Sequence, residues 1–248
     1  MSLPLLSPAP FGSLDGIAAG FTTREGGVSQ APYGSFNLGM SSGDDPAAVA
    51  ENRRRLLAAL GFGPDALALA GQVHGADVRT VDAGGLHERC DGLVTTRPGL
   101  LLGIVAADCA PVVFADPVAR VVGACHSGWR GTEANIVRET VRAMVDLGAE
   151  PERMRAAVGP CISAEHFEVG EEVAEQFDDA FVVRRDDWPR PHVDLRGVLA
   201  AQLAEAGIPP DQAAIDRHCT VADNDRFFSY RTEGAASGRL LGFVGLRR

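Results

Sequence analysis

Three soft donors stand at comparable places in this chain. His74 follows the apolar run LALAGQV (67 to 73), Cys109 follows LLLGIVAA (100 to 107) after one aspartate, and His126 follows RVVGAC (120 to 125). Each run reads as a short buried strand, so each donor sits at a strand's C-terminal end, before residues suited to a turn. If the strands lie side by side, the three side chains meet at one rim of a sheet. Two imidazoles and one thiolate suit zinc, which takes nitrogen and sulfur ligands tetrahedrally and in catalytic sites keeps a fourth position for water or substrate. The same atoms support another chemistry, with Cys109 as nucleophile and His126 as its general base in a cysteine hydrolase dyad. Residue types alone leave both readings open.

Polar and flexible residues around these donors extend the candidate site. In CHSGWRG (125 to 131), Gly128 and Gly131 let backbone and substrate approach closely, and Arg130 offers a guanidinium to an anion near the metal. Asp108 and Ser127, next to Cys109 and His126, are candidates to hydrogen-bond the ligands. Arg24 in TTREGG lies beside a glycine pair, as in anion-binding nests. FFSYR (227 to 231) sets aromatic side chains before Arg231, either as core or as a wall for a flat ring, and Asn37 in YGSFNLG joins the candidate substrate contacts.

The elements that must position these residues are legible in outline. Asp45 and Pro46 open a helix over 46 to 60 that Gly61 closes. A second helix is predicted over 132 to 147, with shorter ones near 170 to 177 and 196 to 206. The remaining apolar runs, DVRTV, PVVFA and LLGFVGL among them, are strands; they outnumber the helices, and many connections are too short for crossover helices. The expected fold is therefore α+β, with mixed sheets and helices packed outside, in one domain over 1 to 248. REGGVSQAPYGSFNLGMSSGDD is a long glycine-rich loop, of the kind that is usually functional or disordered.

The chain has 248 residues and a formal net charge of -10, which argues against wrapping nucleic acid or holding an anionic membrane by long-range attraction. An anionic small substrate then needs local arginines. The N-terminal segment lacks the basic start and unbroken apolar core of a signal peptide, and no run approaches a membrane span, so a cytoplasmic protein is expected. Five cysteines without CxxC spacing argue against a disulfide framework; Cys90, Cys125, Cys161 and Cys219 read as packing thiols. His87, His166, His192 and His218 read as surface or loop residues.

FTTREGGVS, ENRRRL, QVHG, CDGLVT, AADCAPV, HSGWRG, GPCI and RFFSYR, in this order, resemble the YfiH or laccase-domain family, also called multicopper polyphenol oxidases or peptidoglycan editing factors. Two departures are visible: Ser127 where alanine is common, and Tyr230 where histidine is common. The resemblance implies mixed sheets forming a central sandwich covered by helices. It implies zinc held by His74, Cys109 and His126, which would then be the catalytic residues. It also implies phosphorolysis of adenosine, inosine and methylthioadenosine, with deamination of adenosine. The expected partners are thus a purine nucleoside and phosphate. A laccase cluster needs many imidazoles in His-X-His pairs, whereas this chain has six histidines and no such pair, so a multicopper site does not fit. The alternatives are a cysteine-dependent amidase editing peptidoglycan precursors and a non-catalytic, zinc-stabilised interaction protein.

Overall fold

Strands that are apolar on both faces must be covered on both, and this requirement explains the layering of the molecule. The computed structural model describes residues 3–12 and 14–248. In chain order the strands are β1 (Leu5–Leu6), β2 (Ile17–Thr22), β3 (Leu67–Gly71), β4 (Val78–Thr80), β5 (Gly85–Glu88), β6 (Gly92–Thr95), β7 (Leu101–Ala106), β8 (Ala110–Asp116), β9 (Val121–Ser127), β10 (Arg155–Val158), β11 (Val182–Val183), β12 (His192–Val193), β13 (Ala213–Ile215) and β14 (Leu240–Leu246). One mixed sheet has the order β1-β2-β14-β7-β3-β5, a second the order β13-β10-β8-β9-β6-β4, and β11 pairs with β12 apart from them.

The two large sheets pack face to face. Phe21, Leu102, Ile104 and Val244 of the first join Val113, Ala115, Val122 and Ala124 of the second in one buried cluster. Outside the first sheet lies α1 (Pro46–Leu60), whose Leu56, Leu57 and Leu60 cover Leu101, Leu241 and Phe243. The other helices are α2 (Trp129–Glu133), α3 (Ile136–Val145), α4 (Glu171–Ala174), α5 (Leu195–Glu205) and α6 (Tyr230–Glu233). Of these, α3 and α5 cover the second sheet, setting Ile136, Val137, Met144, Leu199 and Leu203 over Val112, Phe114 and Cys125. The order of layers is helix, sheet, sheet, helix, as expected for a sandwich flanked by helices.

Local capping agrees with the sequence at α1, where the Asp45 carboxylate accepts from the Ala47 amide and Gly61 takes a positive φ of 76°. The helix predicted over 132 to 147 is instead two helices. Asn135 adopts a left-handed conformation (φ 55°), which breaks the run, and its side chain accepts from the Arg138 amide to start α3. Trp129 to Glu133 then form a separate turn directly after β9. One histidine expected at the surface differs: His192 is buried, stacked on Trp188 with ring centroids 3.8 Å apart, and its Nδ1 meets the Ala164 carbonyl.

The long glycine-rich loop is bracketed from the inside by one side chain of α1. Buried Asn52 donates to Ser29 Oγ, Ser35 O and Asn37 O, and accepts from the Val28 amide. No helix of the described residues is long and apolar enough to cross a membrane.

Candidate metal centre

Side chains of a strand alternate between its faces, so in β9 Val122 and Ala124 point between the sheets while Val121 and Cys125 point toward the helices. His126 continues the first series and therefore projects between the sheets at the open end of the sandwich. From the other sheet, neighbouring parallel strands β3 and β7 run out toward the same end, followed by His74 and Cys109. The donors thus converge from two facing sheets, whereas the sequence suggested three strands side by side in one. Their ligand atoms lie within 4.8 Å of one another, with His74 exposed, Cys109 half-buried and His126 buried.

The donors are supported by a residue that sequence reasoning passed over. Asp91, fully buried just before β6, lies beside His126 because β6 pairs with β9 in the register Gly92 to Cys125. Its Oδ1 accepts from His126 Nδ1 at 2.9 Å and from the His74 amide at 3.0 Å; its Oδ2 accepts from the amides of Val73 and Gly75 at 3.0 and 2.8 Å. One carboxylate therefore orients one imidazole and holds the turn that carries the other, with His74 itself at a positive φ of 62°. Nδ1 of His126 donates to Asp91, which leaves Nε2 as the free donor. The signal was CDG at the mouth of a strand paired with the His126 strand, visible only with that pairing in hand.

Charge in the cluster favours a ligating thiolate. Burial pushes the Cys109 thiol up, but the imidazoles of His126 and His74 outweigh it and bring it down to about 6. Burial lowers His126, and the Cys109 thiolate and Asp91 carboxylate outweigh that, so its net direction is upward. Close packing adds a steric requirement, because a Cβ on Gly128 would stand 2.9 Å from Cys109 Sγ and 3.4 Å from His74 Cδ2. Only glycine lets α2 begin so near the three donors. A deprotonated thiol, two imidazoles, a carboxylate behind one of them and a bare backbone wall make a group able to hold a metal ion.

The centre opens into a cavity of about 730 Å³, within the range of small-molecule sites. Asp108, Arg231 and Tyr230, an aromatic of FFSYR, lie on its wall as the sequence suggested, together with Arg53, Arg239 and Met40, which it did not single out. Asp108 does not reach the ligands: at a positive φ of 83°, its carboxylate accepts from Thr220 Oγ1 and from the Arg231 amide, both at 2.6 Å. It ties the Cys109 turn to α6.

Four other candidates lie off the cavity wall. Arg24 donates to Gly34 O, Asn224 O and Glu233 Oε1, so its guanidinium fastens the long loop to α6. Arg130 is exposed and lies over the Trp129 ring at 4.2 Å. Ser127 is buried against Thr132, with 3.0 Å between the hydroxyls. Asn37 is buried and accepts from the Arg239 amide at 2.8 Å, so it braces an arginine of the cavity rather than lining it.

Arg53, Arg231 and Arg239 are the arginines on the cavity wall among the described residues, and of these the sequence had pointed to Arg231. None of the three forms an ion pair with a carboxylate among the described residues. Arg239 Nη1 donates to the Ser237 and Gly238 carbonyls, Arg53 Nε and Nη2 donate to the Leu38 carbonyl, and Arg231 Nη2 donates to the Glu168 carbonyl. Each keeps further N–H groups free. Partial burial lowers the pKa of both Arg53 and Arg239.

Residues 18–247 match the family model described as multi-copper polyphenol oxidoreductase laccase. The chain belongs to this family. Among curated proteins, it is 50% identical over 232 residues to a protein of Deinococcus radiodurans named purine nucleoside phosphorylase, covering 92% of this chain and 88% of that one. It is 35% identical to adenosine deaminase RL5 of an unknown prokaryotic organism, over 95% of each chain. Among solved structures, YfiH of Bacillus licheniformis superposes with a TM-score of 0.89 at 29% identity, covering 98% of this chain and 99% of that one. YlmD of Geobacillus stearothermophilus gives 0.87 at 32% identity, covering 97% and 94%. The enzyme names of these relatives sit beside a laccase family description, although this member has a single three-donor group among its described residues.

Proposed function

We propose that this chain is a zinc-dependent purine nucleoside phosphorylase acting on adenosine, inosine and methylthioadenosine, with adenosine deaminase activity. The observation that carries the reading is the juxtaposition of the His74, Cys109 and His126 group with three arginines free of carboxylate partners on the wall of one cavity. Relatives with purine nucleoside phosphorylase and adenosine deaminase names support it.

Zinc fits the donor set better than a copper cluster, because one thiolate and two imidazoles complete a single tetrahedral site with one open position. When bound there, zinc supplies Lewis-acid polarisation. The chain's own residues do the rest. Asp91 fixes the His126 ring and the His74 turn, so the donors need little reorganisation. Phosphorolysis needs phosphate held against the sugar carbon that bears the base; Arg53, Arg231 and Arg239 supply planar, fixed guanidinium donors for that anion. A partly buried guanidinium without an ion-pair partner, as at Arg53 and Arg239, gains from an arriving oxyanion, since the anion offsets the charge that lost solvent no longer screens. Deamination needs water in place of phosphate and draws less on these arginines.

The test is release of hypoxanthine from inosine by metal-replete protein. Release that depends on added phosphate, with adenosine giving both adenine and inosine, supports the reading; no phosphate-dependent release contradicts it. A second reading, a cysteine-dependent amidase acting on peptidoglycan precursors, draws on the lowered Cys109 thiol beside His126. Cleavage of a muramyl peptide by metal-free protein, with no nucleoside turnover, would select it.

A further inference from the structure

Six large apolar or aromatic side chains stand out to solvent among the described residues: Met40, Val73, Leu86, Val118, Val145 and Tyr230. Single exposed apolar groups are ordinary, but three of these, Met40, Leu86 and Tyr230, line the same cavity and a fourth directly precedes His74. They come from segments distant in sequence: the turn Met40–Ser42, strand β5 and the first residue of α6. Their convergence sets exposed apolar groups in the same cavity as three arginines and the three donors, the arrangement expected where a ligand has one flat apolar part and one charged part.

Tyr230 is the best fixed of the three. Its backbone neighbours are pinned on both sides: the Ser229 hydroxyl accepts from the Thr232 amide at 3.2 Å, and the Arg231 amide donates to Asp108 at 2.6 Å. The backbone that carries the ring is therefore held at a set place relative to the Asp108–Cys109 turn, with the side chain 54% exposed. The Arg239 guanidinium lies 5.8 Å from its centroid, and the phenol hydroxyl makes no hydrogen bond within the described residues. An exposed aromatic side chain on an anchored backbone, next to a cavity arginine, has no packing role to explain it.

We infer that Tyr230 is the platform on which the flat face of a purine base stacks, with Met40 and Leu86 flanking it and Arg239 close by toward the oxyanion side. The inference rests on the nucleoside reading above and adds to it the residue that selects the base. A bicyclic purine covers more of the phenol than a monocyclic pyrimidine, so the platform favours inosine over uridine by contact area rather than by hydrogen bonding.

The test measures inosine and uridine binding by calorimetry without phosphate, then steady-state phosphorolysis, for wild type, Tyr230→Phe, Tyr230→Leu and Tyr230→Ala. Because the side chain is half exposed, its loss should leave melting temperature and metal content unchanged, and both are checked. Stacking on an aromatic ring is worth roughly tenfold or more per base, so Tyr230→Ala and Tyr230→Leu should weaken inosine binding and raise its KM by about that factor, with kcat nearly unchanged. Tyr230→Phe should bind as wild type, and the preference for inosine over uridine should shrink only in the non-aromatic variants. Unchanged inosine affinity in Tyr230→Ala, in an enzyme that turns inosine over, overturns the platform alone. Wild-type protein that binds inosine through Tyr230 but never releases hypoxanthine contradicts the phosphorylase reading and leaves the platform standing. Wild type that fails to bind inosine overturns both.

Discussion

Two places in this molecule bring thiols, an imidazole and an arginine together, and only one is built for chemistry. At the second, Cys161 and Cys219 face each other across an isolated parallel bridge, His166 Nδ1 lies 3.6 Å from Cys219 Sγ, and Arg196 Nε donates to Cys161 Sγ at 3.4 Å. Arg196 also donates to the Cys161 carbonyl at 2.8 Å. Both thiols are buried, and burial pushes that of Cys161 up to about 11. At the first, the two imidazoles bring Cys109 down to about 6, a buried carboxylate stands behind them, and the cluster opens into a cavity. The residue types are nearly the same. What differs is whether the polar groups satisfy each other and the backbone, or leave their free atoms aimed at accessible space.

The contrast predicts different consequences for the same substitution. Cys109→Ala removes one of three ligands, so bound metal should be lost and phosphorolysis should fall by roughly 10³-fold, close to what a missing catalytic group costs. Cys161→Ala should retain metal and activity and lose about 1 kcal/mol of stability through the cavity it leaves. Metal analysis, turnover and thermal melting of the two variants together decide the matter. Metal retention by Cys109→Ala would break the comparison.

A similar contrast separates the arginines. Arg239→Ala removes a half-buried guanidinium without an ion-pair partner from the cavity and should cost phosphorolysis roughly 10²-fold, the scale of a lost transition-state charge contact, with metal content intact. Arg24→Ala breaks an ion pair with Glu233 that is 3.0 Å long and not itself on the cavity wall, so it should loosen the loop and lower the melting temperature with a smaller effect on turnover. Equal losses in the two assays would show that guanidinium placement does not separate them.

These arginines also mark how far the sequence could be followed. The layering was legible because LLLGIVAA, PVVFA and VVGAC are apolar at every position, and such strands must be covered on both faces. The three donors were legible because each closes such a run. Arg24 and Arg130 were chosen by nearness in sequence to glycines and to His126, yet position along a chain says little about which face a turn presents. Arg239 and Asp91 are placed by segments distant in sequence, Arg239 by Asn37 of the long loop and Asp91 by β9, and long-range pairing is what local patterns do not encode. The break at Asn135 was missed because the apolar periodicity continues across it, whereas the left-handed residue that interrupts the helix leaves no periodic trace.

Asp91 sharpens the comparison at a smaller scale. Asp91→Asn keeps the shape but removes the charge that orients His126 and exchanges an acceptor for a donor, so metal affinity should fall by roughly 10 to 100-fold, the usual cost of a second partner behind a ligand. Competition with a chelator measures it. An unchanged affinity would mean that packing alone orients the imidazole.

The central claim is that His74, Cys109 and His126 hold one zinc ion per chain in the active protein. Elemental analysis of purified wild-type protein, on the sample whose inosine phosphorolysis has been measured, tests it most directly. The account predicts close to one zinc per chain, no stoichiometric copper, and activity that falls and returns with zinc removal and readdition. Several copper ions per chain, or full activity in protein free of metal, would contradict it.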